Sequence, residues 1–598
     1  MSFENRNYAF AGAFVEELGR CGLKHVCICP GSRSAPLAIS FAHYAGIRKW
    51  VHLDERSAAF FALGIAKYMN EPVALVCSSG TATVNFLPAI VEAHYSSIPL
   101  LVLTADRPSE LLDWGALQTI DQIHMYGNNV KWSVNMPTPD TNQSVMAFVR
   151  SVAGRAFAMA NEKPRGAVHL NFPFREPLEP ANISTDLPES AAELQSQAYR
   201  GRSGKRPYLR SISAEGKIFS DEIKQLASKL ASLERGLIIC GPETNTKLAA
   251  EVANLAQCLD YPILADCLSQ IRCGPHDQNM VIDYYDSFIG DKDLIASLVP
   301  QVVLRFGALP VSKPLTRYLE HHHLTYHILI DEEGWRDPFH LTSEIWHTDA
   351  QSLCSALSSL TEREESTGEW SNRWRNLAKS AKDAIQRELS EMNDMFEGKV
   401  FTELGKLLTA DSLLFVGNSM PVRNMDTFFP SMKTPIRFMA NRGASGIDGV
   451  VSSALGASVV SQERVVLVIG DISFYHDMNG LLAAKNFGLE TTIIVLNNNG
   501  GGIFSFLPHA DYEEVFESYF ATPHNLTFKA GAELYGLDYY LANNWETFRK
   551  VVKGSLKESN TTVIEVTSNQ KSNVRLHRQI EEAVVMQIQQ SEGEQWSK

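Results

Sequence analysis

A chain of 598 residues has length for three or four domains, each able to bury its own core. Hydrophobic content of 44% and charged content of 20% are those of a soluble globular protein; no apolar stretch is long enough to span a bilayer, and no secretory signal is visible at the amino terminus. A net charge of −14 disfavours a nucleic-acid or anionic-membrane surface, and nine scattered cysteines without CxxC spacing read as reduced thiols in a cytoplasm.

Short apolar strands alternate with longer helical patterns from end to end, which predicts α/β architecture with mostly parallel sheets flanked by helices. The first block, 1–184, carries strands over 25–29, 73–77 and 100–104. Within it, Val51-His52-Leu53-Asp54-Glu55 places Glu55 after a strand and at the start of a small-residue helix running to Lys67. A carboxylate there, taken alone, complements the helix dipole. The polar, mixed-charge stretch 185–211 reads as a linker.

The second block, 212–390, carries strands near 236–240, 263–265, 302–306 and 327–330 and ends in a charged helical stretch over about 362–391. Gly241 follows its first strand, but one glycine is not a dinucleotide fingerprint, and Pro242 removes an amide that a phosphate would use. This block is read as structural. The first and third blocks are compatible with related αβ sheets.

The third block, 391–598, holds the sharpest signal. The run 465–469 is β-branched and apolar, a buried parallel strand, and Gly470-Asp471 stands where it stops. The spacing predicts a helix over 477–487, capped by Asp477 and stopped by Gly488, and then a strand over 491–496. A right-handed βαβ crossover brings Asp471 and the run Asn497-Asn498-Asn499-Gly500 to one carboxyl edge. A carboxylate, an amide oxygen and a backbone carbonyl suit a small hard cation such as Mg²⁺ that shares its sphere with phosphate oxygens. The same segment also fits an ordinary αβ unit in which the Asp caps a helix and Asn-Gly makes a turn.

This pairing resembles the motif of thiamine-diphosphate (ThDP) enzymes, a Gly-Asp pair followed by Asn-Asn on a βαβ unit, with Ile472 where glycine is common. The resemblance implies three domains: a pyrimidine-binding domain, a central domain and a diphosphate-binding domain. It implies that Asp471, Asn498 and the Gly500 carbonyl hold Mg²⁺, or Mn²⁺ in its place. A buried Glu55 would hydrogen-bond N1′ of the aminopyrimidine, favouring the imine that takes the thiazolium proton. Ser79, Gly80, Asn418, Ser419, Gly470 and Ser473 would line the cofactor, and Ile447 would support its bent conformation. The cofactor of this superfamily lies between two subunits, which implies a homodimer at least and is compatible with a homotetramer.

Four further segments narrow the resemblance: Cys29-Pro30-Gly31-Ser32-Arg33, Ser78-Ser79-Gly80-Thr81, Thr104-Ala105-Asp106-Arg107-Pro108 and Asn441-Arg442-Gly443-Ala444-Ser445-Gly446-Ile447. Together they look like the 2-succinyl-5-enolpyruvyl-6-hydroxy-3-cyclohexene-1-carboxylate synthase family of menaquinone biosynthesis, whose substrates are the dianions 2-oxoglutarate and isochorismate. Forked guanidinium donors suit carboxylates. By this resemblance Ser419 and Arg423 face the succinyl carboxylate, and Ser32, Arg33, Arg107 and Gln118 face isochorismate. Arg442 and Lys313 occupy further basic substrate-site positions, with Pro314 standing where some relatives carry a second cation, and Leu117 replacing a polar residue before Gln118. The rival reading is another ThDP-dependent 2-oxoacid lyase or decarboxylase, acetolactate synthase-like, with a smaller and more apolar pocket. A silent ThDP-fold scaffold is the rival of another class, disfavoured by the joint presence of Glu55, Asp471 and Asn498.

Overall fold

The computed structural model describes residues 5–212, 220–361 and 367–596. Three parallel sheets carry the chain. The first contains β1 (His25–Ile28), β2 (Arg48–Val51), β3 (Val73–Cys77), β4 (Leu100–Asp106), β5 (Trp132–Asn135) and β6 (Ala167–Pro173), in the order β2-β1-β3-β4-β6-β5. The second contains β7 (Gly236–Cys240), β8 (Ile263–Ala265), β9 (Val302–Phe306), β10 (Tyr326–Ile330) and β11 (Glu344–Trp346), in the order β11-β10-β9-β7-β8. The third contains β12 (Ser412–Val416), β13 (Arg437–Met439), β14 (Arg464–Gly470), β15 (Thr491–Asn497), β16 (Asp538–Ala542) and β17 (Thr562–Thr567), in the order β13-β12-β14-β15-β17-β16. Counted from its own first strand, the third sheet repeats the first, and the expected kinship of the outer blocks is visible in this shared topology.

Strands that the sequence marks as continuous apolar runs, such as β3 and β7, are buried at every residue, as parallel strands covered on both faces must be. Of the charged stretch expected over 362–391, residues 362–366 lie outside the described residues, and a helix spans Glu369–Glu391. Among the described residues no helix is long and apolar enough to cross a membrane.

The chain forms two compact units, and neither is a contiguous segment: 441–461 and 476–487 belong with 1–215, whereas 216–440, 462–475 and 488–598 form the other. In the first unit the helix Val450–Ser458 lies against the helix Glu55–Met69 at backbone distance. A Cβ at Gly64 would stand 2.0 Å from the Ser453 carbonyl oxygen, and one at Gly456 would stand 2.0 Å from that of Phe61. Glycine at both positions is a requirement of this crossing. The Ser453 hydroxyl adds a 3.1 Å hydrogen bond to the Phe60 carbonyl.

Two local expectations change. The predicted single helix over 477–487 is instead a helix Asp471–His476, a 3₁₀ turn Met478–Gly480 and a helix Leu481–Phe487, with Gly488 at φ 59° ending it. Asp477 makes no cap because its carboxylate is drawn elsewhere: it accepts from the Ser452 amide at 2.7 Å and the Ser452 hydroxyl at 3.0 Å. The stretch 185–211, read as a linker, is packed down. Ala198 and Tyr199 are buried, and the fully buried Arg150 donates to both of their carbonyls at 2.7 and 2.6 Å.

Candidate active site

In the second unit, Asp471 follows β14 directly and Asn498 follows β15, and the parallel pairing of these strands through Gly470 and Leu496 sets the two side by side. The Gly500 amide donates to Asp471 Oδ2 at 2.9 Å. Gly500 has φ 134°, and a Cβ there would meet the Ala521 carbonyl at 2.0 Å, so the position requires glycine. The Gly500 carbonyl takes one hydrogen bond, from the Gly502 amide at 2.9 Å, and keeps a second lone pair.

The Asn498 amide donates from Nδ2 to Glu397 Oε1 at 2.9 Å, while its Oδ1 is buried and has no hydrogen-bond partner. An acceptor so placed has its lone pairs open to a ligand. A Cβ at Gly470 would meet nothing within 4 Å, which leaves the strand end open to one. Together with Asp471, these hard oxygen donors fit a Mg²⁺-diphosphate group. Ser473 is buried in the helix that begins at Asp471.

Two residues that the motif does not contain complete this edge. His524 Nε2 lies 3.1 Å from Asp471 Oδ2, and its Nδ1 accepts from the Leu526 amide at 3.0 Å, so Nε2 carries the proton and donates to Asp471. Burial pushes the Asp471 carboxyl above its ordinary value, against the pull of the Gly500, His524 and Ile472 donors. Glu397 is raised in the same way, by burial first and then by the Asp471 charge, against hydrogen bonds from Asn498 and Ser568.

Beside β14, β12 runs into Gly417, whose amide donates to the Val468 carbonyl at 2.8 Å and brings Asn418 and Ser419 to the same carboxyl edge. Asn418 is buried. Ser419 sits at φ 71°, an unusual conformation for a residue with a side chain, and starts the helix Met420–Phe428. Arg423 donates from Nη1 to the Ser419 carbonyl at 2.7 Å, one turn along.

Lys313 is the exposed first residue of the helix Lys313–His321, where Pro314 is at home in the first turn. The capping Ser312 donates to Asp286 Oδ1 at 2.5 Å, and Asp286 Oδ2 accepts from Thr427 at 2.7 Å. The Lys313 helix is thereby tied to the helix that carries Arg423. A buried Arg272–Asp426 pair at 2.5 Å fastens that helix a second time.

In the first unit, Glu55 opens its helix behind the capping Asp54, which accepts from the Ser57 amide at 3.1 Å. Glu55 is half-buried rather than buried as expected, because the carboxyl edge of the sheet is uncovered there: Val51 is 50% and Leu53 71% exposed. Its charge reaches the ends of β1 and β3. Burial first, and then neighbouring groups that include Glu55, push the Cys29 and Cys77 thiols well up.

Ser79, Gly80, Arg107 and Gln118 come together. The Arg107 guanidinium donates to Ser79 Oγ, Ser79 Oγ donates to the Gln118 carbonyl at 3.0 Å, and Gln118 Nε2 donates back to the Ser79 carbonyl at 3.0 Å. Gly80 is at φ 80°, and its amide donates at 2.9 Å to the buried Gln122, a support that no motif signalled. Burial and the nearby Arg33 charge lower the Arg107 guanidinium, so two cations share this corner. Arg33 holds the Phe174 carbonyl at 2.9 Å and Glu176 at 3.1 Å, and Ser32 is exposed beside it. A cavity of about 560 Å³ opens at Asp106 and Arg107 and is otherwise walled largely by apolar residues such as Met136, Val145 and Phe148.

The glycine-rich loop with Arg442 and Ile447 belongs to this first unit. Buried Glu92 clamps it, accepting from the Gly443 amide at 2.9 Å and the Ala444 amide at 2.7 Å. Lys67, also buried, lies 3.5 Å from Glu92; burial lowers its ammonium, Glu92 opposes this, and the Arg442 charge lowers it further. Ile447 is 36% exposed and so is not plain core.

Residues 9–125 match the family model described as "Thiamine pyrophosphate enzyme, N-terminal TPP binding domain", 202–416 match "Middle domain of thiamine pyrophosphate", and 422–566 match "Thiamine pyrophosphate enzyme, C-terminal TPP binding domain". The chain is 47% identical to the 2-succinyl-5-enolpyruvyl-6-hydroxy-3-cyclohexene-1-carboxylate synthase of Geobacillus thermodenitrificans, over 97% of this chain and 96% of that protein. It is 48% identical to the enzyme of that name from Geobacillus kaustophilus, over 97% and 98%. For the one from Chloroflexus aurantiacus the identity is 43%, over 96% and 95%.

Proposed function

The chain belongs to the ThDP-dependent 2-succinyl-5-enolpyruvyl-6-hydroxy-3-cyclohexene-1-carboxylate synthase family, and we propose the following division of labour among its residues. It is a transferase of menaquinone biosynthesis that decarboxylates 2-oxoglutarate and adds the succinyl group to isochorismate, with ThDP and Mg²⁺ as cofactors. The observation that carries the cofactor reading is the buried, unpartnered Asn498 Oδ1 beside Asp471 at the end of two parallel strands.

Asp471, Asn498 Oδ1 and the Gly500 carbonyl hold the Mg²⁺, which Mn²⁺ can replace, and Gly470, Ser473 and Asn418 flank the diphosphate. ThDP, when bound, supplies the nucleophilic carbon and the electron sink that decarboxylation of a 2-oxoacid needs. Glu55 holds a proton at N1′ of the aminopyrimidine, Ser79 and Gly80 border it, and Ile447 supports the ring junction. A second subunit covering Glu55 would exclude water from it. The exposed Val51 and Leu53 support such a cover, hence a homodimer at least.

Arg423 and Ser419 orient 2-oxoglutarate through its distal carboxylate, and Lys313, on the tethered neighbouring helix, is a further basic substrate-site position. Ser32, Arg33, Arg107, Gln118 and Arg442 receive isochorismate, for which two neighbouring guanidinium groups and an adjoining, partly apolar cavity are suited. We place the enzyme in the cytoplasm.

The test is a coupling assay with ThDP and Mg²⁺. Carbon–carbon coupling of 2-oxoglutarate with isochorismate is expected, and turnover of pyruvate alone without that coupling would overturn the substrate reading.

A further inference from the structure

We propose that Glu397 is the positioning residue that fixes the side-chain amide of Asn498, turning its oxygen rather than its nitrogen toward the cation site. The inference rests on the reading of Asn498 as a metal ligand and explains how a residue with two chemically different ends is held to one of them.

An Asn side chain presents an acceptor on one edge and a donor on the other, related by a rotation of about 180° about its last bond. Only the oxygen edge can bind a cation, and nothing in the Asp471–Gly500 clamp itself distinguishes the two. Glu397 does. It opens the helix Glu397–Leu407, is 1% exposed, and takes the Asn498 Nδ2 donor on Oε1 at 2.9 Å.

The same Oε1 accepts from the Ser568 hydroxyl at 2.8 Å, and Oε2 accepts from Asn424 Nδ2 at 3.4 Å. The Glu397 amide points to Asn573 Oδ1 at 3.4 Å. With Asn498, Ser568 and Asn424 all donating to it, the carboxylate is held as an acceptor toward Asn498. Rotating the Asn498 amide would set two oxygens against each other and bury an unpaired NH₂. The consequence is visible at the far end of the same side chain, where Oδ1 is buried without a partner. Such an orphan persists only where surrounding structure holds it.

Glu397 also reaches past the metal loop. Asn424 follows Arg423 on the helix Met420–Phe428, so one carboxylate bonds to the helix proposed to grip the 2-oxoacid and to the loop proposed to grip the metal.

The experiment measures the apparent Kd for Mg²⁺ at saturating ThDP by the change in intrinsic fluorescence, with thermal unfolding of each apo-variant as the control for folding. Glu397→Ala is expected to weaken Mg²⁺ binding tenfold or more, and Glu397→Gln, which keeps an acceptor, by less. The decisive pair is reciprocal. Asn498→Asp adds a stronger ligand for the cation but faces Glu397 with a second carboxylate, and it is expected to bind Mg²⁺ more weakly than the wild type. Combining it with Glu397→Gln restores a donor–acceptor match and is expected to recover at least tenfold of that loss.

Recovery in the double variant supports the proposal even if Glu397→Ala fails to fold. A double variant no better than Asn498→Asp, or wild-type affinity in a folded Glu397→Ala, would overturn it. Wild-type Mg²⁺ affinity in Asn498→Ala would instead overturn the ligand reading on which it rests.

Discussion

The Gly500 amide and Asp471 Oδ2, 29 residues apart in the chain, are joined by a 2.9 Å hydrogen bond that closes the loop after β15 onto the end of β14. Asp471 is therefore both a candidate metal ligand and the acceptor that shapes the loop offering the other ligands. Replacing it has two separable effects. Asp471→Ala is expected to abolish Mg²⁺-dependent ThDP binding in calorimetric titration. It should also lower apo-protein stability by about 1–3 kcal/mol for each buried donor left without a partner. Undiminished Mg²⁺ dependence would remove Asp471 from the site.

In the proposed division of labour Glu55 acts only through a proton. Glu55→Gln is nearly isosteric and leaves the Asp54 cap untouched, so folding and ThDP affinity are expected to stay near wild type. Turnover should fall by roughly 10²–10⁴-fold, the usual contribution of a positioned acid or base. Full activity of this variant in the coupling assay would refute the proposed role.

In the proposed assignment the arginines divide by substrate. Arg423→Ala is expected to raise the KM for 2-oxoglutarate by about tenfold or more, since a hydrogen bond to a charged group contributes about 1.5–3 kcal/mol. Arg107→Ala should do the same for isochorismate. Steady-state kinetics with each substrate varied in turn separates the two, and a change in the opposite KM would reverse the assignment.

The crossing of helices Glu55–Met69 and Val450–Ser458 leaves no room for a methyl group at Gly456, whose Cβ would stand 2.0 Å from the Phe61 carbonyl. Gly456→Ala gains helix propensity but must force the helices apart, and overpacking of this kind costs typically 1–3 kcal/mol. A lowered midpoint in thermal unfolding is expected. An unchanged or raised midpoint would show that the crossing is not this tight.

Asp477 supplies a pH dependence. Burial raises its carboxyl to about 7 from 3.8, against hydrogen bonds from Ser452. A raised carboxyl means that the folded state holds a proton which the unfolded state has released, so its contribution to stability falls as pH rises from about 4 to 7. Asp477→Asn keeps an acceptor for Ser452 without the charge. Its unfolding midpoint is expected to rise relative to wild type between pH 5 and 8, and a difference that does not vary with pH would contradict this.

What the sequence revealed and what it concealed divide by range. β7 and β8 lie where their apolar runs place them, because a strand buried on both faces has no polar positions to blur its ends. The Asp471–Asn498 pairing was legible for a related reason: one βαβ unit sets both strand ends, and its handedness leaves a single arrangement. The helix over 477–487 was misread because its limits depend on where the Asp477 carboxylate goes. The Ser452 that receives it lies 25 residues upstream, outside any window of helical periodicity.

The supports of the site are more distant still. Glu397 is 101 residues from Asn498, Glu92 is 351 from Gly443, and His524 is 53 from Asp471. In sequence, Glu397 reads as an acidic residue in a first helical turn, and His524 as part of a Thr-Pro-His-Asn turn. The sequence alone pointed to the kind of chemistry, because the candidate metal ligands lie on one βαβ unit and the arginines stand in short motifs that resemble a known family. Only the tertiary structure decided which end of the Asn498 amide is bonded to Glu397 and which is left without a partner, and which acid clamps the glycine-rich loop. Those are properties of buried hydrogen bonds between segments far apart in the chain, and no local pattern encodes the partner.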